Sequence, residues 1–99
     1  MSYKIVVTTN AVQQIDDAVD YYKNKVSVRI ARLFIEDYKR TFQEIQTTRY
    51  FKLFFDEFRG KLMRKFPFII FYSIDEIEKV IIIKAVFHTA QHPDKYPKK

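Results

Sequence analysis

Phe68-Ile-Ile-Phe-Tyr-Ser-Ile74, Asp75-Glu-Ile-Glu-Lys79 and Val80-Ile-Ile-Ile-Lys-Ala-Val-Phe87 follow one another without a break, and this run decides the fold. Its outer blocks are dense in β-branched and aromatic side chains, which suit a pleated, half-buried surface. The short charged link between them makes a pair of adjacent antiparallel strands. Alternation along the second block puts Ile81, Ile83, Ala85 and Phe87 on one face and Val80, Ile82, Lys84 and Val86 on the other. The all-apolar set is expected under whatever covers the sheet, with Lys84 on the open face.

Upstream, Arg59-Gly-Lys-Leu-Met-Arg-Lys65 leads through Phe66-Pro67 into the first block. Pro67 has no amide to give a ladder and belongs at a strand start or a bulge. Tyr50–Phe58 is aromatic without a clear period, fitting a short strand or an irregular approach. Earlier still the period becomes helical. Ser27 is placed to cap a helix whose stripe is Ile30, Leu33, Phe34, Tyr38, Phe42 and Ile45, with Thr41 alongside. Arg29, Arg32, Glu36, Lys39, Arg40 and Glu44 are expected in water. Asn10 is placed to cap a first helix over residues 11–24, carrying Ala11, Ile15, Ala18, Val19 and Tyr22 on its buried side. So short a link between the helices makes them an antiparallel hairpin, and Tyr3–Thr8 reads as a strand before it. The expected fold is α+β, in the order β-α-α-β-β-β. A mainly antiparallel sheet carries the helical hairpin on one face, in a single domain over residues 1–99, with Phe34, Phe42, Ile70, Ile81 and Ile83 in the core. The stretch from His88 to Lys99 is expected to be irregular.

Composition narrows the classes. The 99 residues suit one domain, and a 47% hydrophobic share with 1 Gly and 3 Pro is that of an ordered globule. The absence of Cys leaves no disulfide or thiolate site and fits a reducing compartment, and no run approaches the roughly 18 apolar residues that cross a bilayer. A cytoplasmic location without a membrane partner is expected. With 18 Lys and Arg against 12 Asp and Glu, the charge of +6 favours a polyanion or an acidic protein.

The single glycine rules out phosphate-cradling loops, so no nucleotide cofactor is expected. His88 and His92 stand four apart, but Pro93 follows at once and no carboxylates match their spacing, so no metal site is expected. Asp16-Asp17 and Asp56-Glu57 read as solvated charges. Arg59, Lys61 and Lys65 share one strand parity and could line a face with Lys84 and His88, holding phosphates, or could simply blunt a sheet edge. Tyr72 reads as packing rather than chemistry.

Three pieces together carry a resemblance: Arg59; Leu62-Met-Arg-Lys-Phe-Pro-Phe-Ile-Ile-Phe-Tyr-Ser-Ile-Asp75; and Val80-Ile-Ile-Ile-Lys-Ala-Val-Phe-His88 with Pro93 and Tyr96 behind it. This pattern resembles the ParE/RelE toxins of type II toxin–antitoxin systems over about residues 3–97. The resemblance implies a toxin neutralised by an antitoxin, expected to be acidic, that wraps an extended or helical segment over the sheet and hairpin. In the RelE-like branch it implies ribosome-dependent mRNA cleavage by Lys and Arg with a C-terminal Tyr. Tyr96 matches that aromatic, and Lys61, Arg64 and His92 are the other catalytic candidates. Gly60, Leu62, Ile69 and Ala90, however, stand where that branch often carries cations. The ParE-like branch instead poisons DNA gyrase by binding it. There the pattern often has an Arg soon after the tail His, where this chain has Gln91-His92. The expectation is a ParE-like binding toxin, with an mRNA nuclease or a family member of weakened activity or another target as alternatives. Candidate target contacts are Arg59, Lys61, Arg64, Lys84, His88, His92 and Tyr96.

Overall fold

The computed structural model describes residues 3–90. The expected order holds, with one strand more: β1 (Lys4–Val7), α1 (Thr9–Lys25), α2 (Val28–Thr48), β2 (Leu53–Phe55), β3 (Phe58–Leu62), β4 (Phe68–Asp75) and β5 (Val80–His88). The aromatic stretch that gave no clear period contains the tight turn between β2 and β3. Asp56 makes that turn at φ 42°, a conformation that Asp and Asn adopt more readily than most residues.

The five strands lie in the order β1-β5-β4-β3-β2. β1 runs parallel to β5, and every other pair is antiparallel, so the sheet is mixed and mainly antiparallel. The two helices lie on one face. Ala11, Ile15 and Ala18 of α1 and Phe34 and Ile45 of α2 bury against Ile70, Tyr72, Ile81 and Ile83 of the sheet. Phe42 packs at the margin of this core. Tyr22, Phe34, Phe66 and Phe68 stack edge-on or tilted at centroid distances of 5.1 to 6.4 Å, filling the space between hairpin and sheet with few residues.

Ser27 caps α2, its Oγ accepting from the Ile30 amide at 3.1 Å. α1 begins earlier than its sequence indicated. Thr8, not Asn10, is the cap, accepting from the Ala11 amide at 3.2 Å, while the Asn10 amide group donates to the Lys84 carbonyl at 3.2 Å. Thr8 wins because its hydroxyl also donates to the Ile83 carbonyl at 3.0 Å, fixing the helix start to the sheet.

The alternation expected for β5 holds for only half its length. Ile83 pairs with Tyr72 but Ala85 pairs with Phe71, so Lys84 is an extra residue in a bulge. Beyond it the parity inverts. Val86 joins the core under α1, where its amide donates to Gln14 Oε1 at 2.7 Å. Ala85 and Phe87, expected beneath the helices, lie on the other face, where Phe87 packs edge-on against Phe71 at 6.1 Å. β5 also continues through His88, which pairs with Phe68, so regular structure reaches into the stretch expected to be irregular.

Candidate functional site

The sheet face turned away from the helices has no layer over it among the described residues, and its composition is set by strand parity. Arg59 and Lys61 pair with Tyr72 and Ile70, both in the helix-side core, so their intervening neighbour Gly60, and Leu62 after them, point to the open face. Across β4 and β5 that face continues through Ile69, Phe71, Ile82, Ala85 and Phe87. Phe54 of β2 lies over Phe71, ring centroids 5.2 Å apart and nearly perpendicular. The one glycine is explained here: a Cβ on Gly60 would stand 2.6 Å from the Phe54 ring. At this edge of the sheet Phe51, Phe54, Leu62 and Ile69 line a mainly apolar groove of about 430 Å³, with Lys52 and Lys61 also in its wall.

The cations are therefore not gathered on one face. Lys84 does lie on the open face, its ammonium 5.9 Å from the centre of the Phe58 ring. Arg59 and Lys61 stand on the helix side, beyond the edge of the hairpin. The Arg59 guanidinium donates to the Phe51 carbonyl at 2.9 Å and lies 5.2 Å from the Tyr50 ring centre, and Lys61 lies 5.0 Å from the Phe51 ring centre. Lys65 is outside β3, in the loop before Pro67, and Arg64 is ion-paired with Glu44 of α2. His88 is half-buried rather than an exposed tail residue. Its ring meets Phe68 edge-on at 5.1 Å, and with Gln14, Asp17, Tyr21 and Tyr22 of α1 it lines a pocket of about 520 Å³. His92 and Tyr96 lie outside the described residues.

Several constraints around this site were not read from the sequence. Asp37 is fully buried on α2, and its Oδ2 accepts from the amides of Lys65 at 2.7 Å and Phe66 at 3.0 Å, tying the β3–β4 loop to the helix. Its phase was the available signal, since Asp37 falls on the same stripe as Phe34, Thr41 and Ile45. Tyr72 is structural, as expected. Its hydroxyl donates to the Arg49 carbonyl and accepts from the Phe51 amide, and burial pushes its phenol pKa up. At the far end of the sheet, the Tyr3 and Tyr50 hydroxyls donate to Glu76 at 2.7 and 2.8 Å and hold its carboxyl below the usual carboxylate range. No cluster of three or more His, Asp or Glu side chains able to hold a metal occurs among the described residues. No described helix is long and apolar enough to cross a membrane.

Residues 5–93 match the family model of the ParE toxin of type II toxin–antitoxin systems, parDE. The chain belongs to the ParE toxin family. Among solved structures, it is similar to a chain of the chromosomal ParDE system of P. aeruginosa, with a TM-score of 0.76 at 16% identity over 87% of this chain and 95% of that one. It is also similar to a chain of the RelBE2 toxin–antitoxin complex of Mycobacterium tuberculosis, with a TM-score of 0.57 at 19% identity over 89% of this chain and 99% of that one. No curated protein matches it in sequence. The ParE/RelE resemblance read from the hairpin thus stands, and the protein is the toxin of a type II toxin–antitoxin pair.

Proposed function

We propose that this ParE-family toxin arrests growth by binding DNA gyrase and holding it on cleaved DNA, and that a cognate antitoxin neutralises it by direct binding. One observation carries the choice of target: the open sheet face is apolar where the RelE-like branch would need cations. Gly60, Leu62 and Ile69, the positions at which that branch often carries Lys or Arg, lie together on this face around Phe54. Cleavage of a phosphodiester piles negative charge onto phosphate oxygens, and a site that speeds it places cations or other donors around them. The floor of Phe54, Leu62 and Ile69 itself offers no donor to such charge, and the cations that line the groove, Lys52 and Lys61, stand at its rim. It does suit a protein partner, because apolar and aromatic side chains supply most of the energy at protein interfaces. The +6 charge then steers an acidic partner rather than performing chemistry.

Expression in a bacterial host tests the reading. Growth should stop, the DNA-damage response should rise as gyrase-linked breaks accumulate, and co-expression of the neighbouring gene's product should restore growth. Arrest without a DNA-damage response, accompanied by cut messages on ribosomes, would replace gyrase with mRNA as the target.

A further inference from the structure

One end of the helix layer carries a run of cations that the apolar face does not involve. From Tyr21 to Ile35 the chain holds Lys23, Lys25, Arg29 and Arg32 and no acidic residue. All four are exposed at the tip of the helical hairpin. The tip is tight. The Val26 and Ser27 amides both donate to the Tyr22 carbonyl, at 2.9 and 2.8 Å, so the last turn of α1 and the first turn of α2 lie side by side. The β3–β4 loop reaches the same end, because the Phe66 ring stacks 5.1 Å from that of Tyr22, and it brings the exposed Lys65 with it.

Helix electrostatics accounts for only part of this charge. Lys23 and Lys25 stand in the last turn of α1, where a cation offsets the partial negative charge of the helix end. Arg29 and Arg32 do the reverse. Arg29 stands in the first turn of α2 and Arg32 in the next, at the end that is already partly positive, with no acid in that first turn and no base in the last. Glu36 follows one turn beyond Arg32, yet the ion pairs among the described residues are Arg40–Asp37 and Arg64–Glu44, so none of the five cations has a carboxylate partner there. A helix face arranged for stability alone would carry its charges the other way round. Like charges from three segments, gathered against the local preference, fit a polyanion.

We infer that the hairpin tip, through Lys23, Lys25, Arg29, Arg32 and Lys65, binds the phosphate backbone of duplex DNA without reading its sequence. The inference rests on the gyrase reading above and adds a second grip to it: the toxin holds the DNA that gyrase has cut as well as gyrase. The two grips do not collide. The tip belongs to the helix layer, whereas the apolar groove lies on the opposite face of the sheet. Phosphate contacts of this kind fix position and supply affinity, while base edges play no part.

Fluorescence anisotropy of a short labelled DNA duplex with the full chain tests the site without gyrase. Affinity should fall steeply with salt, with a log–log slope of magnitude about 4 for five phosphate contacts. Arg29→Glu and Arg32→Glu should each weaken binding at least about fivefold. Arg29→Glu should do so without lowering the melting temperature, because an acid suits the first turn of α2, and this separates lost binding from lost fold. Lys4→Glu makes the same change of charge on β1, at the opposite end of the sheet, and should bind as wild type. Equal weakening by Lys4→Glu would overturn the site, since net charge alone would then explain the binding. So would no binding of the duplex at low salt, tighter binding to single-stranded RNA of the same length, or binding to phosphatidylglycerol vesicles in place of DNA. A toxin that binds the duplex through Arg29 and Arg32 yet never traps gyrase would remove the gyrase reading and leave the site standing. Trapping of gyrase by a toxin that does not bind the duplex would overturn the site alone.

Discussion

Within a core that is mainly apolar, a few polar side chains fix backbone far away in sequence. Asp37 is the clearest. Its carboxylate, fully buried, takes two amides from a loop 28 and 29 residues downstream and is partly compensated by Arg40 at 3.4 Å. Asp37→Ala leaves those amides without an acceptor inside the protein, which costs about 2–3 kcal/mol. Thermal unfolding should show a melting temperature lower by roughly 10–20 °C on the scaling for a domain of this size. Exchange of the Lys65 and Phe66 amides should quicken as well. Glu76 acts through pH. The Tyr3 and Tyr50 hydroxyls lower its folded pKa, so its contribution is complete above the unfolded carboxylate value and fades as pH falls toward the folded one. Glu76→Gln should therefore flatten the acid limb of the stability–pH curve and leave its alkaline limb in place, as measured by denaturant titration. A midpoint that still falls with wild-type steepness in acid would assign that limb to other carboxylates.

At the scale of elements, the bulge in β5 decides which side chains meet the helices. Val86→Asp places a charge under α1 and should unfold the domain or cost more than 3 kcal/mol. Phe87→Ser should cost about 1 kcal/mol, because Phe87 lies half-buried on the open face against Phe71. Equal losses in the two variants, read from melting curves, would place the bulge elsewhere. The same element shows where reading the sequence reached its limit. Helical periodicity located both helices, and the two β-branched blocks located β4 and β5, because each pattern is local. The bulge is not local: whether Lys84 is an extra residue depends on the partner strand's register, which alternation along β5 alone cannot carry. The cation group failed for a related reason. Shared parity placed Arg59 and Lys61 together, but Lys84 reached the opposite face across a sheet whose order was not written in either strand. Asp37 was visible as a stripe position, yet its partners lay in a loop that no helical pattern indicates.

On the scale of the whole molecule, one layer of helices covers one side of the sheet, and among the described residues the other side is mainly apolar, with Lys52 and Lys61 at the rim of its groove. That asymmetry, more than any single residue, is what favours the proposed binding toxin over an RNA-cutting one. The direct measurement combines purified toxin with gyrase, plasmid DNA and ATP, and in parallel with ribosomes translating a defined message. Linear plasmid covalently attached to gyrase should accumulate, with the message intact. A message cut at fixed positions within the ribosome, with the plasmid untouched, would contradict it.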